Sequence, residues 1–152
     1  VANFYSDQFT RVRAGRRVQA NEDRGIIQAL HWNFASLAAS NIGDVFVCGI
    51  IPKGSRVVGG LECHSAMGGT ATGAYGTHTI ASDGVTYGAV DSAARFLAAT
   101  SHVAAGSNPL ANTIALAYGF ETTVDVFLAI TNAASAFATA GQLTGYLQYI
   151  RK

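Results

Sequence analysis

Apolar residues recur at every second position over most of this chain, the spacing of strands rather than helices. Between Ile26 and Phe34, Ile26, Leu30, Trp32 and Phe34 share one parity, interrupted by Gln28, while Ile27, Ala29, His31 and Asn33 take the other. Period-two spacing with aromatic and branched side chains predicts a half-buried strand. Asp44 to Ile51 is apolar on both parities (Val45, Phe46, Val47, Cys48, Ile50, Ile51), which suits a strand covered on both faces. Pro52-Lys53-Gly54 closes that run as a turn. Arg56 to Ser65 predicts the next strand, with Val57, Leu61 and Cys63 on one side and Arg56, Val58, Glu62 and His64 on the other. Gly59-Gly60 marks a candidate bulge within it.

Gly68 to Gly88 is a Gly/Thr/Ala stretch with one strand over Ala71 to Ile80 and a turn at Ser82-Asp83-Gly84. Asp91 to Thr100 (DSAARFLAAT) is the most helical segment, with Asp91 or Ser92 as N-cap, and fits either a short helix or an irregular crossover. Thr113 to Phe120, Thr122 to Thr131 and Gln142 to Arg151 complete the strands, the last two joined by the small-residue loop Asn132 to Gly141. About seven short strands, Gly-rich turns and almost no helix predict an all-β fold, an antiparallel β-sandwich or jelly roll.

The first 24 residues lack a sustained period of either kind and read as an extended N-terminal arm (1–24) ahead of a single β-sandwich domain (25–152). Five of the ten basic residues fall there: Arg11, Arg13, Arg16, Arg17 and Arg24. Phe4, Tyr5 and Phe9 are interleaved with polar residues. As a partner-binding arm, Arg11, Arg13, Arg16 and Arg17 would bond carboxylates on another protein, with Phe4, Tyr5 and Phe9 as aromatic anchors. As a plain terminus, the same residues would be a solvated, frayed segment. As a nucleic-acid tail, they would bind phosphates in a strongly salt-dependent way.

Composition narrows these choices. At 152 residues the chain suits one domain with a real core. Only 12% of residues are charged against 49% hydrophobic, which suits a subunit that covers much of itself with neighbours. A formal charge of +1 argues against wholesale nucleic-acid binding. Neither an apolar run long enough for a membrane span nor an export signal is visible. Cys48 and Cys63 lie inside strand-like runs and read as buried, reduced cysteines of a protein made in a cytoplasm, or as a cross-strand disulfide in an oxidising compartment.

Candidate chemistry is sparse. Cys63, His64 and His78 come nearest to a metal-ligating set but show no paired ligand spacing, so no metal or cofactor site is expected. Cys63 reads as a core residue beside a surface histidine. Ser65 follows His64 directly, and adjacent strand residues point to opposite faces, so no catalytic pair is expected there. The run GGTATGAYG lacks the Lys-Ser/Thr ending of a phosphate loop. The sequence therefore reads as non-enzymatic.

The order of arginine-bearing leader, GDVFVCGIIPKGSRVVGGLE, Gly/Ala/Thr-rich middle, and closing TTVDVFLAIT and AGQLTGYLQYIRK resembles the small head decoration, or cement, proteins of tailed bacteriophages. The resemblance runs over residues 25 to 152 through arrangement and texture, without a diagnostic motif. It implies a non-enzymatic jelly-roll subunit, commonly a homotrimer, on the capsid exterior and bridging neighbouring major capsid subunits. Besides a small jelly-roll enzyme, which would need convergent polar groups in a pocket, two other readings stay open on the residues alone. One is a carbohydrate- or receptor-binding module of a fibre, with Trp32, Tyr75, Tyr87 and Tyr118 as stacking faces. The other is a self-assembling jelly-roll coat protein whose basic arm faces nucleic acid.

Overall fold

The computed structural model describes residues 3–5, 27–37, 40–111, 119–133 and 141–151. These residues form strands β1 (Asn3–Tyr5), β2 (Ile27–Leu37), β3 (Val45–Ile51), β4 (Ser55–His64), β5 (Thr72–Ile80), β6 (Tyr87–Ser101), β7 (Gly106–Leu110), β8 (Val126–Asn132) and β9 (Gly141–Arg151). One sheet has the order β1-β3-β8-β5-β6 and the other β2-β9-β4-β7. Every pairing is antiparallel except β1 with β3, which run parallel. From β2 onward the chain passes back and forth between the sheets, staying in one only from β5 to β6. That winding makes the sandwich an eight-stranded jelly roll, with β1 added at the edge of the first sheet.

The alternation in β2 works as the sequence predicts. Leu30, Trp32 and Phe34 are buried, whereas Ile27, Ala29, His31 and Asn33 are exposed. Facing them across the sandwich are Phe46, Cys48, Tyr75, Leu128 and Ile130 of the first sheet. The doubly apolar β3 is also explained. Its other parity, Val45 and Val47, joins Phe127 and Ala129 of β8 in a second buried cluster, against which Ile50, Ile80 and Tyr87 pack. Pro52-Lys53-Gly54 forms the expected turn, held by Asp125 Oδ1 accepting from the Lys53 amide at 2.6 Å and by Thr122 Oγ1 donating to the Pro52 carbonyl at 2.6 Å.

Two segments depart from the sequence expectation. Asp91 to Thr100 is not a helix but the middle of β6, the outer strand of the first sheet. Its helical look has a local cause: from Ser92, opposite Thr77, to Leu97, opposite Tyr75, five steps of β6 span two steps of β5. The excess residues bulge out, which brings Asp91 and Arg95 within 2.8 Å of each other as a helix would. Arg95 also donates to Thr77 Oγ1 at 2.9 Å and lies 4.2 Å over the Phe120 ring. Sheet pairing outweighs the weak helical preference of the alanines.

The second departure is β7, GSNPL, which has no strand-like pattern. It is the outermost strand of its sheet, where Pro109 is tolerated because one side of the strand needs no donor. The strand expected over 113 to 120 falls mostly outside the described residues.

Candidate functional site

The most unusual chemistry inside the sandwich comes from one extra residue in β4. Val57 pairs with Tyr149 of β9, but the next partners are Gly59 and Gln148, so the ladder slips by one at Val58. Gly59 takes φ +144°, a conformation side chains other than glycine's rarely adopt. A one-residue slip turns every later side chain to the opposite face. The bulge was legible in Gly59-Gly60, yet its effect reverses the expected facing. Glu62 and His64 point into the core, and Cys63 lies half-exposed on the other side. The reading of Cys63 as a core residue beside a surface histidine is therefore inverted.

Inside the second sheet, Trp32, Gly145, Glu62 and Asn108 lie in one cross-strand row over β2, β9, β4 and β7. His64 lies two residues further along β4, on the same face. The third member, His102, follows directly after β6 and so comes from the other sheet. Its backbone is pinned, the amide donating to the Ala71 carbonyl at 2.8 Å and its carbonyl accepting from the Met67 amide at 2.9 Å. Glu62 is 0%, His64 8% and His102 1% exposed.

The Glu62 carboxylate is the hub. His64 Nδ1 lies 3.0 Å from Oε1 and 3.2 Å from Oε2, and His102 Nε2 lies 3.3 Å from Oε1. Asn108 Nδ2 donates to Oε1, and the Tyr75 hydroxyl donates to Oε2 at 3.4 Å. The two imidazoles meet edge to face, with ring centroids 4.2 Å apart. Burial alone would raise the Glu62 pKa. Hydrogen bonds from His102 and Asn108 and the charges of His102 and His64 outweigh it and hold the carboxyl below its ordinary value. Burial, and then the Glu62 charge, push Tyr75 well above its ordinary value, so its hydroxyl stays a donor.

The set considered from sequence is not the one that assembles. His78 is buried elsewhere, edge-on to Tyr87 at 5.3 Å, with neither ring nitrogen hydrogen-bonded among the described residues. Burial lowers its pKa, opposed by the charge of Asp91. Ser65 Oγ accepts from the Gln142 amide at 2.8 Å, which ties it to β9 rather than to His64. Among the described residues, Glu62, His64 and His102 are the group whose ligating atoms gather, all within 4.8 Å of one another. The sequence signal for two of them was Glu-x-His on a strand; His102, 38 positions beyond His64, carried none.

Of the arm residues, Phe4 and Tyr5 fall in β1, paired in register with Phe46 and Val47 of β3. Phe9, Arg11, Arg13, Arg16 and Arg17 lie outside the described residues. Of the four aromatics considered as glycan-stacking faces, Trp32 and Tyr75 are core residues packed on each other at 5.9 Å, and Tyr87 is half-buried against His78. Tyr118 lies outside the described residues.

By fold the chain belongs with the all-β jelly-roll sandwiches. No family model and no curated protein matches it. Two solved structures do. A chain from the capsid of Ralstonia phage GP4 superposes with a TM-score of 0.76 at 17% identity, over 99% of this chain and 99% of that one. A chain from the Cyanophage Pam1 capsid asymmetric unit superposes with a TM-score of 0.60 at 19% identity, over 91% of this chain and 96% of that one. At such identities the likeness is one of fold.

Proposed function

We propose that this chain is a structural, non-enzymatic virion protein that binds the outer surface of a phage capsid and bridges neighbouring major capsid subunits, acting as a homotrimer. The observation that carries this reading is the end-to-end match in fold to a chain of a phage capsid, over 99% of each. The sequence resemblance to head decoration proteins points the same way. A chain with only 12% charged residues suits burial against sister subunits. Phe4, Tyr5, Phe9, Arg11, Arg13, Arg16 and Arg17 are the residues through which the leader would hold capsid carboxylates and apolar pockets, at an ordering cost offset by many repeated contacts on one shell. The chain would be made in the host cytoplasm and end up on the capsid exterior.

The test is co-sedimentation of the purified chain with phage heads assembled without it, alongside sizing of the free protein. Saturable binding by a trimer, weakened by deletion of residues 1 to 20, is the expected result. Absence of binding to heads overturns the role. Closed shells formed by the chain alone, with salt-sensitive nucleic-acid uptake, would instead make it a coat protein.

A further inference from the structure

We infer that Glu62, His64 and His102 form a binding site for a divalent transition-metal ion that ties the two sheets together. Glu62 and His64 come from β4 in one sheet, and His102 leaves the end of β6 in the other. Two imidazoles and one carboxylate suit borderline ions such as Zn²⁺, Co²⁺ or Ni²⁺.

Geometry supports the assignment. A tetrahedral ion with bonds of 2.0–2.1 Å sets its ligand atoms about 3.3 Å apart. Here His64 Nδ1 and His102 Nε2 lie 3.0 and 3.3 Å from Glu62 Oε1, and the widest separation in the trio is within 4.8 Å. Gly73 and Gly106 are what let the two rings sit where they do. A methyl group added at Gly73 would come within 2.6 Å of His102 Cε1, and one at Gly106 within 3.3 Å of His64 Nε2. Three protein ligands leave the fourth position to water.

The surroundings are those of a supported site. Asn108 and Tyr75 both donate to the Glu62 carboxylate, fixing its plane as partners behind a ligating carboxylate do. A carboxylate this deeply buried needs a positive neighbour, which an ion supplies directly. Protons shared with the histidines are the competing way to supply it, and metal uptake separates the two.

The experiment uses the full chain, stripped with chelator and titrated with Co²⁺ while visible d–d absorption and bound metal are recorded. One Co²⁺ per chain is expected, without a thiolate charge-transfer band, and Zn²⁺ should displace it and raise the melting temperature. Glu62→Gln and His102→Gln should lose the uptake, while Cys63→Ser should keep it. Asn108→Ala, which removes a support and no ligand, should bind about 10–100-fold more weakly. No stoichiometric uptake by the wild-type chain overturns the site, as does full uptake by a folded Glu62→Gln protein or loss of uptake in Cys63→Ser. Should the ligand variants fail to fold, unchanged affinity in Asn108→Ala overturns it as well. Failure of head binding leaves this result untouched, because the ion would sit inside the sandwich.

Discussion

Trp32 faces Gly145 across the β2–β9 ladder, and its indole fills the space a side chain at position 145 would need. A Cβ placed on Gly145 would lie 2.5 Å from Trp32 Cζ2 and 2.5 Å from the Leu61 carbonyl oxygen. Neither neighbour can retreat: the indole is in the core, and the carbonyl belongs to the central part of a sheet. Gly145→Ala should therefore destabilise the fold by about 1–3 kcal/mol through overpacking. A urea titration would show it as a lower midpoint with unchanged slope. An unaltered midpoint would mean that the indole has somewhere else to go.

Glu62 should be the most costly single polar residue to remove. With its carboxylate gone, His64, His102, Asn108 and Tyr75 lose a shared acceptor inside the core. Breaking a buried charged cluster from one side costs about 3–5 kcal/mol. Metal-free Glu62→Ala, compared with metal-free wild type by urea denaturation, should show a loss of that size. A loss no larger than that of an exposed substitution would remove the cluster from the list of stabilising features.

His78 gives the fold a pH dependence of known sign. Its folded pKa lies below the ordinary 6.5, so on acidification the unfolded chain takes up the proton first. Stability is then intact above 6.5 and declines as the pH falls from there towards the folded value. Among the described residues its ring nitrogens have no hydrogen-bond partner, so an apolar ring gives up no polar contact there. His78→Phe should keep the edge-to-face contact with Tyr87 and raise the melting temperature more at pH 5 than at pH 7.5. Equal shifts at the two pH values would contradict this.

The two thiols should differ in reactivity. Burial pushes the Cys48 thiol well above its ordinary pKa, and its side chain is sealed in the core. Cys63 is half-exposed because of the β4 bulge. A thiol reagent under native conditions should label Cys63 and leave Cys48 until the protein unfolds, read by mass spectrometry of each peptide. Labelling of Cys48 at the same rate would mean that the core opens readily.

Strands whose faces differ in polarity, or that are apolar throughout, could be read from the chain. β2 declares its inner face through Leu30, Trp32 and Phe34, and β3 declares two covered faces through Val45 to Cys48. Segments held by position alone could not. β7 has no apolar rhythm and is a strand because it pairs with Cys63 and His64, while the central bulge of β6 imitates helical spacing. The buried cluster was hidden twice over. A one-residue slip at Val58 exchanged inside for outside, and His102 reaches Glu62 only through the crossing of the two sheets. Periodicity is local and carries neither fact.

In the β2–β9 ladder, Ile27 lies beside Ile150 and Leu37 beside Gly141, with β2 outermost in its sheet and β9 held on its far side by β4. The Ile27 end of β2 is thus tied into the sheet by a full antiparallel ladder on one side. A pull along that strand loads the rungs of the ladder together in shear, whereas a pull away from the sheet peels them off one at a time. Tension applied at the Ile27 end of β2 has a strong direction and a weak one, and its direction would decide whether this edge of the sandwich resists or unzips.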